Sequence, residues 1–490
     1  MSDASPSGIH SRRVLKGFLT MSGTSAAVMV VQLGYAALAS RVMGPDAFGA
    51  YAVALSGIGI LGMAGGSTLG QAAARRPSNS DAGDGALLTA AVLAGTIAAT
   101  LAFALAPLWA QLWGIPEATS VTRVLALGMP LSAAAGVLAG VFRRFGRTHE
   151  VAARSAVGQL LGMGIGLVAV LNVREPWSLA ITPVGGSIIT CLLLAAGISR
   201  ARLRPRWPSG QAVEDVIYGS KAAAMNLLRS SSGQVARWSI SRFAGAPALG
   251  AFNRATTIVT IPLETLQRSF NYALFPELRP GGPVASNPRA LTDILILTAW
   301  PAVILVPVSY FAAPPILSIL LGSNWEAAAQ LAGLAALMGV VPMIAVPLAS
   351  ALEALGHFRV TALAWFIGSC VVGAGVVGTI HTHAADPAMI GMIGAEVSLA
   401  CVAGIALSRR GLLSGGRLLR AVIPLAGIQV VLTISFSFVA AAYGPTSVIC
   451  LWTACVVAAA ETVALLTLGD RTVFGAIAKA RGLPGFASRP

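Results

Sequence analysis

Two consecutive apolar segments, residues 222–242 and 252–274, carry five arginines (Arg229, Arg237, Arg242, Arg254 and Arg268) against one acid, Glu264. An arginine at the centre of a bilayer costs about 2.5–3.5 kcal/mol even on the mildest insertion scale, so each should face water, a partner or an anionic ligand. In the first segment Asn226, Ser230, Gly233, Arg237 and Ser241 recur at helical spacing, with Arg229 one position off the stripe. In the second, Asn253, Thr257, Thr260, Glu264, Gln267 and Asn271 step by four and three residues. Arg254 and Arg268 flank that stripe about 40° apart around a helix of 3.6 residues per turn. The chemistry such residues suit is phosphate binding, because the guanidinium fork is bidentate and permanently charged. The pattern predicts a cationic, water-filled cavity for a phosphate-bearing head group. Arg237 and Arg254 stand at one level and Arg229 and Arg268 at another, with Asn226, Gln267 and Asn271 as polar neighbours.

Simpler roles stand beside this one. Arg242 has the reach to snorkel to the membrane surface, and Glu264 and Arg268 are i, i+4 neighbours able to neutralise each other. Glu264, Glu396 and Glu461 are candidates for coupling to a proton or Na⁺, against a structural hydrogen bond as the plainer role. The sequence shows no metal-ligand set, no nucleotide-binding glycine loop and no nucleophile motif, so neither a metal nor a cofactor is expected.

The elements that must hold these residues follow from composition. The chain has 490 residues, 56% hydrophobic and 10% charged, with a net charge of +15, whereas soluble domains carry roughly 25% charged residues. Apolar blocks about 20 residues long recur along it, the length that crosses a bilayer. Soluble enzymes, nucleic-acid binders and disulfide-stapled secreted domains are thereby excluded. The expected fold is all-α: a polytopic membrane protein of about 14 transmembrane helices. Spans are expected near residues 18–40, 48–70, 86–109, 122–142, 155–172, 178–198, 222–242, 252–274, 291–312, 328–351, 359–380, 388–408, 420–441 and 446–467. The first block is longer than a signal-peptide core and is expected to be retained. Five cysteines (Cys191, Cys370, Cys401, Cys450 and Cys455) fall inside apolar blocks and read as small core residues.

On this layout most Lys and Arg fall on the side of the N-terminus, among them Arg75, Arg76, Arg143, Arg144, Arg147 and Arg154. The opposite loops hold only Arg41, Arg174 and Arg242. The positive-inside rule puts both termini in the cytoplasm. Trp109, Trp113, Trp177 and Trp325 fall at outer helix ends, where an aromatic belt is expected.

The chain also repeats itself. RVMGPDAFGAYAVA (41–54) aligns with RFAGAPALGAFNRA (242–255) at an offset of 201, with six of fourteen positions identical. LWGIPEA (112–118) aligns with LLGSNWEA (320–327), and Gly146 and Gly158 with Gly356 and Gly368. Two six-helix lobes related by a pseudo-twofold repeat, plus two extra helices, are expected, the lobes rocking about a site at their interface. The expected partition is a tail (1–17), an N-lobe (18–198), a cytoplasmic linker (199–221), a C-lobe (222–408), helices 13 and 14 (409–467) and a second tail (468–490).

In SRVMGPDAFGAYAVA (40–54), LGAFNRATTIVTIPLETLQRSFNYALFPEL (249–278), GSNWEAAAQLAGLAALM (322–338) and ALEALGHFRV (351–360), the chain resembles the Wzx-type oligosaccharide flippases. These form the polysaccharide-transporter branch of the multidrug/oligosaccharidyl-lipid/polysaccharide (MOP) exporter superfamily. The resemblance implies alternating access that moves an undecaprenyl-diphosphate-linked oligosaccharide from the cytoplasmic to the periplasmic leaflet of a bacterial inner membrane. It implies a role in extracellular polysaccharide or O-antigen synthesis, with Arg229, Arg237, Arg254 and Arg268 in the cationic cavity. Membrane lipids and the polysaccharide polymerase are the implied partners, and nucleic acid is not one. Acidic residues that some relatives carry in span seven are missing here. Rival readings are a lipid II flippase, a drug or cation antiporter (which should favour acids in spans seven and eight), and a membrane glycosyltransferase. The last would need catalytic carboxylates, while the outer loops hold only scattered Asp46, Glu117, Glu175, Glu326 and Asp386.

Overall fold

A computed structural model describes residues 28–62, 69–75, 81–207, 230–274, 309–411 and 436–444, with the separate positions 214, 217, 227, 292, 305, 413, 434, 446, 447, 449–454 and 456. Every regular element among them is helical. The chain divides into two compact units, one of Val30–Arg254 with Val376–Ala388, the other of the described residues in Ala255–Gly375 and from Met389 onward. The first unit holds α1 (Val28–Val42), α2 (Pro45–Gly62), α3 (Leu69–Arg75), α4 (Asp81–Trp113), α5 (Ala118–Ala126), α6 (Met129–Arg144), α7 (Thr148–Val173) and α8 (Ser178–Ala196). A single turn, Arg200–Leu203, follows, then helix α9 (230–239), a π-turn (Ile240–Ala244) and the first turns of α10 (Gly245–Leu274). The second unit holds the rest of α10, α11 (Ser309–Leu321), α12 (Glu326–Val340), α13 (Pro342–Ala354), most of α14 (Phe358–Thr382) and α15 (Asp386–Arg409), and α16 (436–443).

Seven stretches among the described residues are long and apolar enough to cross a bilayer, or eight if the bent pair α5–α6 is one span. The protein is therefore an all-helical, multi-pass membrane protein. Helix α10 is long enough but does not count among the seven, in keeping with its polar stripe.

The expected span 122–142 is not one straight helix. It bends by 44° between α5 and α6, at Leu127–Gly128. Pro130, which has no N–H to give the Ala126 carbonyl, lies just beyond the bend. The expected span 328–351 lies within one span-length apolar stretch, Ser323–Glu353, because Val341 between α12 and α13 keeps helical dihedrals and its carbonyl accepts from Ala345 N–H (3.1 Å). Helix α11 runs on to Leu321, so the loop expected from 313 is mostly helix. Trp113, Trp177 and Trp325 lie at helix ends as expected, and Trp113 and Trp325 are buried there, at 2% and 1% exposure. Cys191 and Cys450 are buried as expected, but Cys370 and Cys401 are exposed on helix exteriors; Cys455 lies outside the described residues.

The repeat is visible in the backbone. Gly114 and Gly322 both have positive φ, at 74° and 90°, as do Gly146 and Gly356, at 70° and 79°. Such φ values favour residues without a Cβ, which fits a glycine closing each helix. The bonds that close α6 and α13 correspond: Arg147 N–H donates to Phe142 O (3.0 Å), and His357 N–H to Leu352 O (2.8 Å). Gly158, Gly162 and Gly166 of α7 pack on Thr190, Gly186 and Thr182 of α8, and Gly368 packs on Ala395. Small residues let membrane helices approach backbone to backbone. The first repeat pair touches itself: a Cβ on Gly49 would strike the Ala246 carbonyl, and one on Gly250 the Pro45 carbonyl. Since Pro45 corresponds to Ala246 and Gly49 to Gly250, the two contacts are one contact made twice about a local twofold.

Candidate functional site

The start of α10 rests on α2 through that glycine crossing, which fixes where its next turn points. Phe252 is buried, and Arg254 is buried to 6% exposure. The Arg254 guanidinium carbon stands 3.6 Å from the centroid of the Phe48 ring. Phe48 and Tyr51, at i and i+3, share one face of α2. Tyr51 and Tyr35, the latter from α1, interact electrostatically with Arg254. Tyr35 shares a 2.6 Å hydrogen bond with Thr182 Oγ1 on α8. Phe48 of α2 thus covers the guanidinium of α10, with Tyr51 of α2 and the Tyr35–Thr182 pair of α1 and α8 in its electrostatic surroundings. Among the described residues no carboxylate reaches it, and its Nε has no hydrogen-bond partner.

The same unit shows what a structural arginine looks like. Arg144, 4% exposed at its side chain, donates from Nη1 to Asp84 Oδ1 (2.9 Å) and pairs through Nη2 with Oδ2. Arg202 approaches the same carboxylate at 3.5 Å. Arg144 is one of the cations expected to orient the chain, and nothing in the sequence singles out Asp84 as its partner. Asp84 lies just before the expected span 86–109, and its pairing with residues 60 and more positions away leaves no local signal. A buried charge left without a partner costs several kcal/mol, so the contrast between Arg144 and Arg254 carries information.

The remaining expected residues divide in three. Arg237 is described, half-buried on α9, with a buried Nε that lacks a partner; Gln234, three residues earlier, has a buried Oε1 in the same state. Gln234 falls outside the stripe expected from the sequence, which runs through its neighbour Gly233. Arg254 is described as above. Arg229, Asn226 and Glu461 lie outside the described residues, and Glu264, Gln267, Arg268 and Asn271 sit on α10 with side chains outside them too. Glu396 is half-buried in the middle of α15.

Two residues of the α9 segment do other work. The Ser241 hydroxyl donates to Trp113 O (2.8 Å) and the Trp238 indole to Leu112 O (3.0 Å), which satisfies the last carbonyls of α4. The π-turn Ile240–Ala244 changes the helical register there, so Ser241 leaves the stripe that Ser230 and Arg237 define. Arg242 is exposed and lies against Gly114, beyond the C-terminus of α4, where a cation is favoured.

Alongside lies an apolar pocket of about 310 Å³ between α2, the α5–α6 bend and α8. Leu55, Ile58, Leu125, Met129, Pro183 and Val184 line it. Sequence reading did not find it, because three distant segments form it.

Residues 38–330 match the sequence model of a family described as "Polysaccharide biosynthesis protein". The chain is 24% identical over 307 residues to the succinoglycan biosynthesis transport protein ExoT of Rhizobium meliloti (strain 1021), a match covering 61% of this chain. The match spans 60% of that relative's length. Among solved structures, the fold is similar to the lipid II flippase MurJ in an inward closed conformation. There the TM-score is 0.72 at 10% identity, over 92% of this chain and 99% of that one. It is also similar to an inward-facing multidrug resistance MATE family transporter of the MOP superfamily, with a TM-score of 0.59 at 14% identity over 82% of this chain and 95% of that one.

Proposed function

The chain belongs to the polysaccharide biosynthesis protein family, and from that premise we propose that it is a flippase for an undecaprenyl-diphosphate-linked oligosaccharide. It carries that unit from the cytoplasmic to the periplasmic leaflet of a bacterial inner membrane by alternating access, for extracellular polysaccharide or O-antigen synthesis. Both termini are cytoplasmic, and a polysaccharide polymerase receives the product. It catalyses no covalent step. The curated relative's description as a succinoglycan transport protein supports this reading.

The observation that carries it is Arg254: buried, held by aromatic groups and matched with no acid among the described residues. Such a charge is held ready for an anion that arrives from outside the protein. A diphosphate would be clamped by the guanidinium fork, with the Tyr35 and Tyr51 hydroxyls as further donors. Arg237, Arg229 and Arg268, with Asn226, Gln267 and Asn271, are the further candidates for binding the phosphate or the glycan. A diphosphate oxygen would accept from the Arg254 Nε–H, which has no partner among the described residues, so binding would satisfy and neutralise the group together. Glu264, Glu396 and Glu461 are the candidates for coupling that cycle to an ion gradient.

The fold likeness to a lipid II flippase favours one second reading, the same cycle with lipid II as cargo. Reconstitution into proteoliposomes tests both. With undecaprenyl-diphosphate oligosaccharide in the membrane, the wild-type chain should accelerate its appearance in the opposite leaflet, and Arg254→Ala should slow it at least tenfold. An unchanged rate in Arg254→Ala, at normal protein levels, rejects the cationic site. Faster transport of lipid II than of the oligosaccharide assigns the second cargo.

A further inference from the structure

The pocket of about 310 Å³ falls at the low end of small-ligand pockets, roughly 300–1,000 Å³. Its place relative to Arg254 is what matters. On α2, Phe48, Tyr51, Leu55, Ile58 and Gly62 follow one another by three, four, three and four residues, which keeps them on one face. The first two belong to the surroundings of Arg254 and the last three to the pocket. On α8, Thr182 bonds Tyr35, while the next two residues, Pro183 and Val184, line the pocket. The arginine and the pocket thus share one face of α2 and adjoining residues of α8, cationic at one end and apolar at the other, with Tyr51 and Ile58 about 10 Å apart along the helix.

We propose that this pocket seats the first isoprene units of the lipid carrier while the diphosphate is held at Arg254. The proposal rests on the flippase reading above and names the part of the substrate that the pocket selects. A surface cationic at one end and apolar at the other fits an anionic amphiphile better than a free phosphate or a sugar. The pocket lies in helices apolar enough to span the membrane, where bulk acyl chains already solvate apolar groups as well as a protein can. Its contribution is therefore shape and position rather than hydrophobic gain. Gly59 and Gly62 supply the shape, because a Cβ built on either meets nothing within 4 Å. The 44° bend at Leu127–Gly128 supplies the opposite wall.

Photolabelling of the full chain in proteoliposomes tests this, using undecaprenyl diphosphate with a diazirine on its first isoprene units. Labelled peptides should come from α2 and α8 around Leu55, Ile58 and Val184. Gly59→Phe, which fills the pocket, should cut that labelling at least tenfold. Gly164→Phe should leave it unchanged, since Gly164 is exposed on α7 with nothing within 4 Å of its added Cβ. Equal labelling by the matching undecaprenol would make the pocket a site for bulk lipid and overturn the proposal. Labelling elsewhere, abolished by Arg254→Ala, overturns the pocket and leaves the flippase reading standing. Labelling that unlabelled undecaprenyl diphosphate does not displace and Arg254→Ala does not change overturns both.

Discussion

Two buried arginines in one unit carry opposite signs for stability. Arg144 and Asp84 are mutual partners, so removing either strands the other in a poor solvent. Truncating one member of such a pair costs about 3–5 kcal/mol. Asp84→Ala should therefore lower the melting temperature of the purified protein in detergent by many degrees. Arg254 has no acid to strand among the described residues. Arg254→Met keeps the side chain's length, removes an uncompensated charge, and should leave the melting temperature equal or higher while transport falls at least tenfold. A parallel loss of stability in both variants would make Arg254 a structural residue and withdraw its role in binding. Sequence reading found Arg254 because charge is conspicuous in an apolar segment. It did not find Phe48, Tyr35, Tyr51 or Thr182 around it, since aromatic and hydroxyl residues are ordinary there and their meeting depends on three other helices.

The helices themselves were legible where their signal is a sum over many residues, and illegible where it rests on one. Apolar length located α8, α14 and α15 closely at both ends, whereas α4 and α7 start earlier than expected, at Asp81 and Thr148, and α2 is described only to Gly62. The bend at Leu127–Gly128 escaped, because a 19-residue average is hardly altered by one proline. The π-turn at Ile240–Ala244 has no sequence signature, so the polar stripe was carried one residue too far, to Ser241. The glycine repeat was read as kinship between halves, and the structure adds that its first copy and second copy touch. That crossing admits no side chain at Gly49 or Gly250, where the obstacle is backbone carbonyl that cannot swing away. Gly250→Val should therefore abolish both folding yield and transport, as should Gly49→Val. Gly44→Ala, five residues before Gly49 and with nothing within 4 Å, should be silent in both. Size-exclusion profiles and flipping rates of the three variants measure this, and a well-behaved, active Gly250→Val would remove the crossing from any role in holding Arg254.

For the molecule as a whole, the remaining question is which way it stands in the membrane, since that sets the direction of transport. The cations that orient it are less free than their number suggests. Arg144 is buried on Asp84, Arg147 bonds Glu150 at 2.5 and 2.8 Å, and Arg154 bonds both Glu150 and the Leu193 carbonyl. Pairing does not cancel their topological effect, because the rule counts Lys and Arg near span ends and acids contribute little. Orientation is set during insertion, before Asp84 and Arg144 can meet, so even charges that end up buried have already acted. The proposed topology places the turn after α4 outside and the turn after α6 inside. In a cysteine-free background, Glu117→Cys and Arg174→Cys, both at exposed positions, should react with an impermeant maleimide on intact cells. His149→Cys, exposed beside the Arg147–Glu150 pair, should react only after the membrane is opened. The reverse pattern would turn the molecule over. It would place the Pro45 end of α2, and with it Arg254, nearer the cytoplasm, and the proposed export would have to run through the site in the opposite order.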